Sequence, residues 1–204
     1  MSKDTMQEGI ERLRQILTKL RSGGYPGDET PSIYAQAEVA RRFQPILGKS
    51  YLDKLSADDF CSFLPIRNNG HWTGLARQGP RICRDMPALR QALSVLQDEN
   101  LPIALRYDYA TSKVNGMGKA ITTAILVVLF PSQYGVWNNV SESGLQLLGL
   151  WPDQRRGESE GSRYARMNQT LLTLSQGLDI DLWTLDSLWH YLVKVEEAES
   201  HSGS

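Results

Sequence analysis

Ala120 to Phe130 is apolar on nearly every side, and Pro131 closes the run. At about half of the ~20 apolar residues a bilayer crossing requires, and with Thr122 and Thr123 inside it, this stretch is too short and too polar to span a membrane. A helix that is apolar all round has to be covered on all sides. The remainder of the 204 residues must therefore supply a shell for it.

The shell is legible as a series of amphipathic segments. Ile10, Leu13, Ile16, Leu17 and Leu20 recur at helical spacing within residues 4–21, with acids early and bases late, as a helix dipole favours. Ser22 to Pro31, rich in Gly and Pro, interrupts the pattern. A second helix is expected over Ile33 to Phe43, and Ser56 followed by Asp59 is a capping signature for a short helix ending near Leu64. Pro87 suits a first helical turn, with Leu89, Leu93 and Leu96 on the apolar face that follows. Further helices are expected over Pro102 to Ser112, from a Ser141 cap to Gly149, through Tyr164, Met167, Leu171, Leu174 and Leu178, and over Leu182 to Glu199. No strand-like alternation and no internal repeat occurs. The expected fold is all-α, with eight or nine helices. Residues 1–31 form an N-terminal helix and linker, 32–199 the helical domain, and 200–204 a disordered tail.

Hydrophobic residues make up 41% of the chain and charged residues 22%, with a net charge of -1, which excludes disordered, collagen-like and coiled-coil classes. Cys61 and Cys83, in a chain without an apolar N-terminal stretch, point to buried thiols in a reducing compartment and to a cytoplasmic location. His190 is expected to pack in the core, and scattered histidines make no metal set. No metal or cofactor is expected. The charge is uneven: Arg67, Arg77, Arg81, Arg84 and Arg90 face one acid, Asp85, whereas the six acids between Asp179 and Glu199 face Lys194. Arg67 to Pro87 has no period and reads as a long polar loop with an aromatic centre at His71 and Trp72, a kind of loop that is often functional.

The sharpest local feature is Val114-Asn115-Gly116-Met117-Gly118-Lys119-Ala120, between two expected helices. Two glycines around an apolar residue make a tight turn whose amides stand open at a helix N-terminus, where a phosphate oxygen binds. Lys119 and Thr122 would add a charge and a hydroxyl to the same phosphate. The glycine spacing and the absence of a preceding strand exclude a P-loop.

After the buried helix come Pro131 to Tyr134, then Gly135-Val136-Trp137-Asn138-Asn139-Val140 and the run Leu145 to Leu150. Over residues 110–150 this order resembles the helix-hairpin-helix DNA glycosylase superfamily, the endonuclease III-like base-excision enzymes. The resemblance implies that Gly116, Met117, Gly118, Lys119 and Thr122 grip the DNA backbone. It also implies that Asn138 stands where the family's catalytic aspartate stands. Ala120 occupies the position of the lyase lysine of bifunctional members, so a Schiff-base step there is excluded, and the C-terminal cysteines of iron–sulfur relatives are absent. An asparagine can neither supply negative charge beside an oxocarbenium-like sugar nor take a proton from water. Phe63 to Trp72, Gly116 to Leu150 and Leu182 to Asp186 also resemble accessory regions of ATPases in modification-dependent restriction systems, which implies a sensor of DNA or altered bases in antiviral defence.

Asp108 and Lys113 precede the turn and would line the cleft of Asn138, with Asp108 as the substitute acid of an active N-glycosylase. Arg77, Arg81 and Arg84 would reach phosphates. Asn68, Asn69, His71, Trp72, Trp137 and Asn139 would form a base pocket, since a flipped base needs flat rings to stack on and amides to read its edge. Three functions stand open: a sensor that binds duplex DNA and reads a modified or damaged base, a glycosylase acting on an unusual base, and an adaptor whose acidic last helix meets a protein partner.

Overall fold

The computed structural model describes residues 3–23 and 32–202, with side chains as far as Lys194. Most of the expected Gly/Pro linker, residues 24–31, lies outside the described residues. The chain folds into helices α1 (Lys3–Arg21), α2 (Gln36–Leu47), α3 (Ala57–Phe63), α4 (Ile66–Asn69), α5 (Gly79–Ile82), α6 (Met86–Leu96), α7 (Ile103–Lys113), α8 (Lys119–Leu129), α9 (Asn139–Leu147), α10 (Glu160–Leu178) and α11 (Leu182–Ser202). Short 3₁₀ segments lie at Ser32–Ala35, Lys49–Lys54 and Leu75–Gln78. Among the described residues there is no strand, and no helix is long and apolar enough to cross a membrane.

Helix α8 is the hub. Every residue from Ile121 to Val128 is buried, and α2, α7 and α11 pack around it. Its two threonines are satisfied internally. Thr122 donates to the Met117 carbonyl (3.2 Å), while Thr123 donates to the Lys119 carbonyl (2.7 Å) and accepts from Trp137 N–H (2.8 Å). Helix α7 is clasped between α6 and α10, α9 lies on α11, and α1 joins the same core through Leu13, Ile16 and Leu17 against α10 and α11. Burying each such aliphatic side chain stabilises by roughly 1.5–3 kcal/mol.

Four expectations are corrected. The stretch from Arg67 to Pro87 is a chain of short helical segments, because Asn69, Trp72, Leu75 and Ile82 are buried and tie it down. The cap of α9 is Asn138, whose side chain accepts from Val140 and Ser141 N–H, and Ser141 is the reciprocal partner three residues on. The second helix runs through Pro45 to Leu47 after a 3₁₀ turn. Helix α11 continues to Ser202, past the expected start of the tail, and residues 203–204 lie outside the described residues. Cys61 and Cys83 are half-buried free thiols with sulfurs 3.5 Å apart, and burial together with the neighbouring Cys61 pushes the Cys83 thiol up to about 12.

The segment before Asn138 is held from α10. Gly135 N–H donates to Asn168 Oδ1 (2.7 Å), the Gly135 carbonyl accepts from Tyr164 O–H (2.8 Å), and Asn168 Nδ2 donates to the Gln133 carbonyl (2.8 Å). A Cβ at Gly135 would fall 2.4 Å from Leu171 Cδ1, so a larger residue there would have to displace that buried side chain.

Candidate functional site

Helices α7 and α8 are joined by a turn that Met117 N–H closes onto the Val114 carbonyl (3.1 Å). Gly116 has φ +93°, and a Cβ there would meet Arg81 Cβ, Gln78 Oε1 and Ile82 Cγ1, each at 3.2 Å, so α5 seats directly on the turn. Gly118 is different. Its backbone is extended, and a Cβ added there meets nothing within 4 Å. No side chain caps α8, so the first amides of an 11-residue helix face open space, where the dipole and the unpaired N–H groups favour an anion.

Arg77, Arg81 and Arg84 are all exposed. Arg77 lines the cleft beside Gly118, and Arg81 lines the groove on the turn's outer side, whereas Arg84 borders neither. Other expected backbone contacts turn inward. Met117 is buried, and the Thr122 hydroxyl is spent on Met117 rather than on a phosphate. Lys119 Nζ is paired with Glu142 Oε2 (2.6 Å) and lies 5.4 Å over the Trp137 ring. Arg90 is structural, its guanidinium donating twice to the Leu55 carbonyl.

Beside the turn lies a cavity of about 550 Å³, lined by His71, Trp72, Lys119, Asn138, Asn139 and Asp186 among others, a volume within the usual 300–1,000 Å³ of small-molecule sites. The concavities are contiguous. The cleft beside the turn shares Thr73, Leu75, Lys119 and Ala120 with the cavity, and Gln78, Gly116 and Gly118 with the outer groove. Exposed Ile66 and Val140 stand at the cavity's edge. His190, expected in the core, is exposed and also lines this cavity.

Several expected pocket residues are instead the frame around it. Asn69 is fully buried. Its Oδ1 accepts from His71 and Trp72 N–H (2.9 and 2.7 Å), and its Nδ2 donates to the Leu64 and Trp72 carbonyls, leaving nothing to read a base edge. Asn68 donates to the Ser62 carbonyl and accepts from Arg42, and it does not line the cavity. Trp137 is a core ring stacked near Tyr107 and Tyr164. Trp72 is likewise buried, edge-on to Phe63 and Trp183, although it also lines the cavity.

Asp108 and Lys113 do not share the cleft of Asn138. Asp108 Oδ1 accepts from Gly161 N–H (2.7 Å) at the start of α10, and both residues border the groove on the turn's outer side. The acid that does reach the cavity is Asp186 of α11, which the sequence reading leaves without a role. Its Oδ2 accepts from Trp72 Nε1–H (2.9 Å), and His71 Nε2 lies 2.7 Å from the same oxygen, off the line of a straight hydrogen bond. The only local signal is one carboxylate within the apolar run Leu182 to Trp189. Among the described residues no cluster of three or more His, Cys, Asp or Glu could hold a metal.

Compared with known proteins, the chain matches no family model, no curated protein and no solved structure.

Proposed function

We propose that this chain is a DNA-binding protein on a helix-hairpin-helix, DNA glycosylase-like scaffold that senses modified or damaged bases, with antiviral defence as its setting. The observation that carries this reading is the continuity of one surface: an uncapped helix N-terminus flanked by Arg77 and Arg81 runs through a cleft into a cavity of about 550 Å³. Phosphate contacts position a duplex without reading it, and a base extruded from the stack needs an adjoining pocket. The turn and the two arginines supply the first, and the cavity supplies the second.

Asn138 bears on whether the cavity cleaves or only reads. Its Oδ1 is occupied by the α9 cap, and it carries no charge to place against a sugar cation. The site therefore reads rather than excises.

The test is incubation with duplexes carrying single modified or damaged bases, scored for affinity and for alkali-labile sites. Binding that discriminates among bases without strand lability supports a sensor. Robust abasic-site formation makes the protein a glycosylase, and absence of binding at low salt removes the DNA reading altogether.

A further inference from the structure

We infer that Cys61 and Cys83 form a reversible redox site, at which hydrogen peroxide converts the two thiols into a disulfide tying α3 to α5, the short helix on which the glycine turn is seated. The inference stands apart from the DNA reading.

The two free thiols are 22 positions apart in the sequence, and their sulfurs lie 3.5 Å from one another. Disulfide sulfurs are about 2.05 Å apart, so closure asks for a movement of about 1.5 Å. The elements involved are small. Cys61 belongs to α3, and Cys83 is the C-cap of α5, a helix of four residues. A Cβ at Gly79, the first residue of α5, would fall 3.0 Å from Cys61 Sγ, so this helix lies directly against the first thiol. Through Arg81 and Ile82 the same helix meets Gly116 of the turn. Both thiols are half-buried rather than sealed, which admits an oxidant as small as peroxide.

Burial and the neighbouring Cys61 keep the Cys83 thiol protonated. Since the thiolate is the nucleophile, the first attack falls to Cys61. Its sulfur displaces hydroxide from hydrogen peroxide, which breaks the O–O bond and leaves a sulfenic acid. The Cys83 sulfur then forms the S–S bond, and the hydroxide leaving Cys61 takes up the Cys83 proton as water. Two thiols and one peroxide give one disulfide and two waters, the sulfurs losing the two electrons that the peroxide gains. Where thiols are otherwise kept reduced, such a bond is transient and reports an oxidant rather than holding the fold together.

The experiment treats the reduced, folded protein with hydrogen peroxide and follows intact mass, maleimide labelling after denaturation, and the amide resonances of Gly116 and Gly118. The expected result is a loss of two hydrogens, loss of both thiols to maleimide, one peptide pair joined through Cys61 and Cys83, and shifted turn amides, all reversed by dithiothreitol. Cys83→Ser should stop at a sulfenic acid that dimedone traps on Cys61, whereas Cys61→Ser should keep its remaining thiol over the same time. If either variant does not fold, the wild-type result decides alone. Two thiols that still label, oxygen gained without loss of hydrogen, or bonds formed only between copies of the chain overturn the redox site. A disulfide that leaves both turn amides unmoved overturns its link to the turn.

Discussion

Asn138 accepts hydrogen bonds from Val140 N–H at 2.8 Å and Ser141 N–H at 2.9 Å, so a residue that lines the cavity is also the N-cap of α9. Asparagine and aspartate cap about equally well, whereas alanine at a cap costs ~1 kcal/mol. Asn138→Asp should therefore unfold at the wild-type temperature, and Asn138→Ala should lose about 1 kcal/mol in denaturant titration. Because Asn138→Asp keeps the fold, any strand lability it gains reports chemistry at the cavity.

The two glycines of the turn separate folding from binding. Gly116→Ala forces a Cβ onto φ +93° and against α5, at an expected cost of about 1–3 kcal/mol by denaturant titration. Gly118→Ala meets no protein atom and should leave stability unchanged. Its methyl stands beside the open amides, and duplex affinity should fall. Unchanged affinity at low salt would remove the turn from the interface.

Much of the scaffold is legible in the sequence because its signals are local. Ser56 and Asp59 lie three residues apart and form a reciprocal cap, and the apolar run after Gly118 becomes the buried hub. The site is less legible, since its contacts are long-range. Trp72 and Asp186 meet across 114 positions, and nothing near either residue announces the other. Asn69 and Trp137 suggest a base pocket by residue type, yet an amide or an indole serves as well to satisfy backbone groups or fill a core. Only the packing distinguishes these uses. Asp108, which precedes the turn in sequence, and Asn138, which follows α8, border different concavities, and no local pattern tells them apart.

Tyr107 is fully buried, and its hydroxyl has no hydrogen-bond partner among the described residues. Burial, with Glu160 and Asp108 nearby, holds its phenol in the protonated form well above the ordinary range. An unpaired buried hydroxyl costs about 1–3 kcal/mol, so Tyr107→Phe, which keeps the ring stacked on Tyr164, should leave stability unchanged or raise it. A clear loss in the unfolding midpoint would show that the hydroxyl is satisfied in solution.

The Cys83 thiol, pushed up to about 12, remains protonated at neutral pH. Since the thiolate is the reacting form, its alkylation by iodoacetamide in the folded protein should stay slow at pH 7–8 and accelerate with every unit of pH above that. Unfolding should bring it to the rate of an ordinary cysteine, whose pKa is about 8.5. Rapid modification of folded protein at pH 7 would contradict the burial of this thiol.

The salt dependence of duplex binding tests the proposed function most directly, because each phosphate contact releases counterions and contributes about 0.9 to the slope of log K against log salt. Arg77 and Arg81 flank the turn, while Arg84 borders neither concavity beside it. Wild-type protein should bind with a clearly negative slope. Arg77→Ala with Arg81→Ala should make that slope shallower by about two units, and Arg84→Ala should leave it unchanged. A duplex affinity that does not depend on salt, or a slope that the double substitution leaves untouched, would contradict binding through this surface.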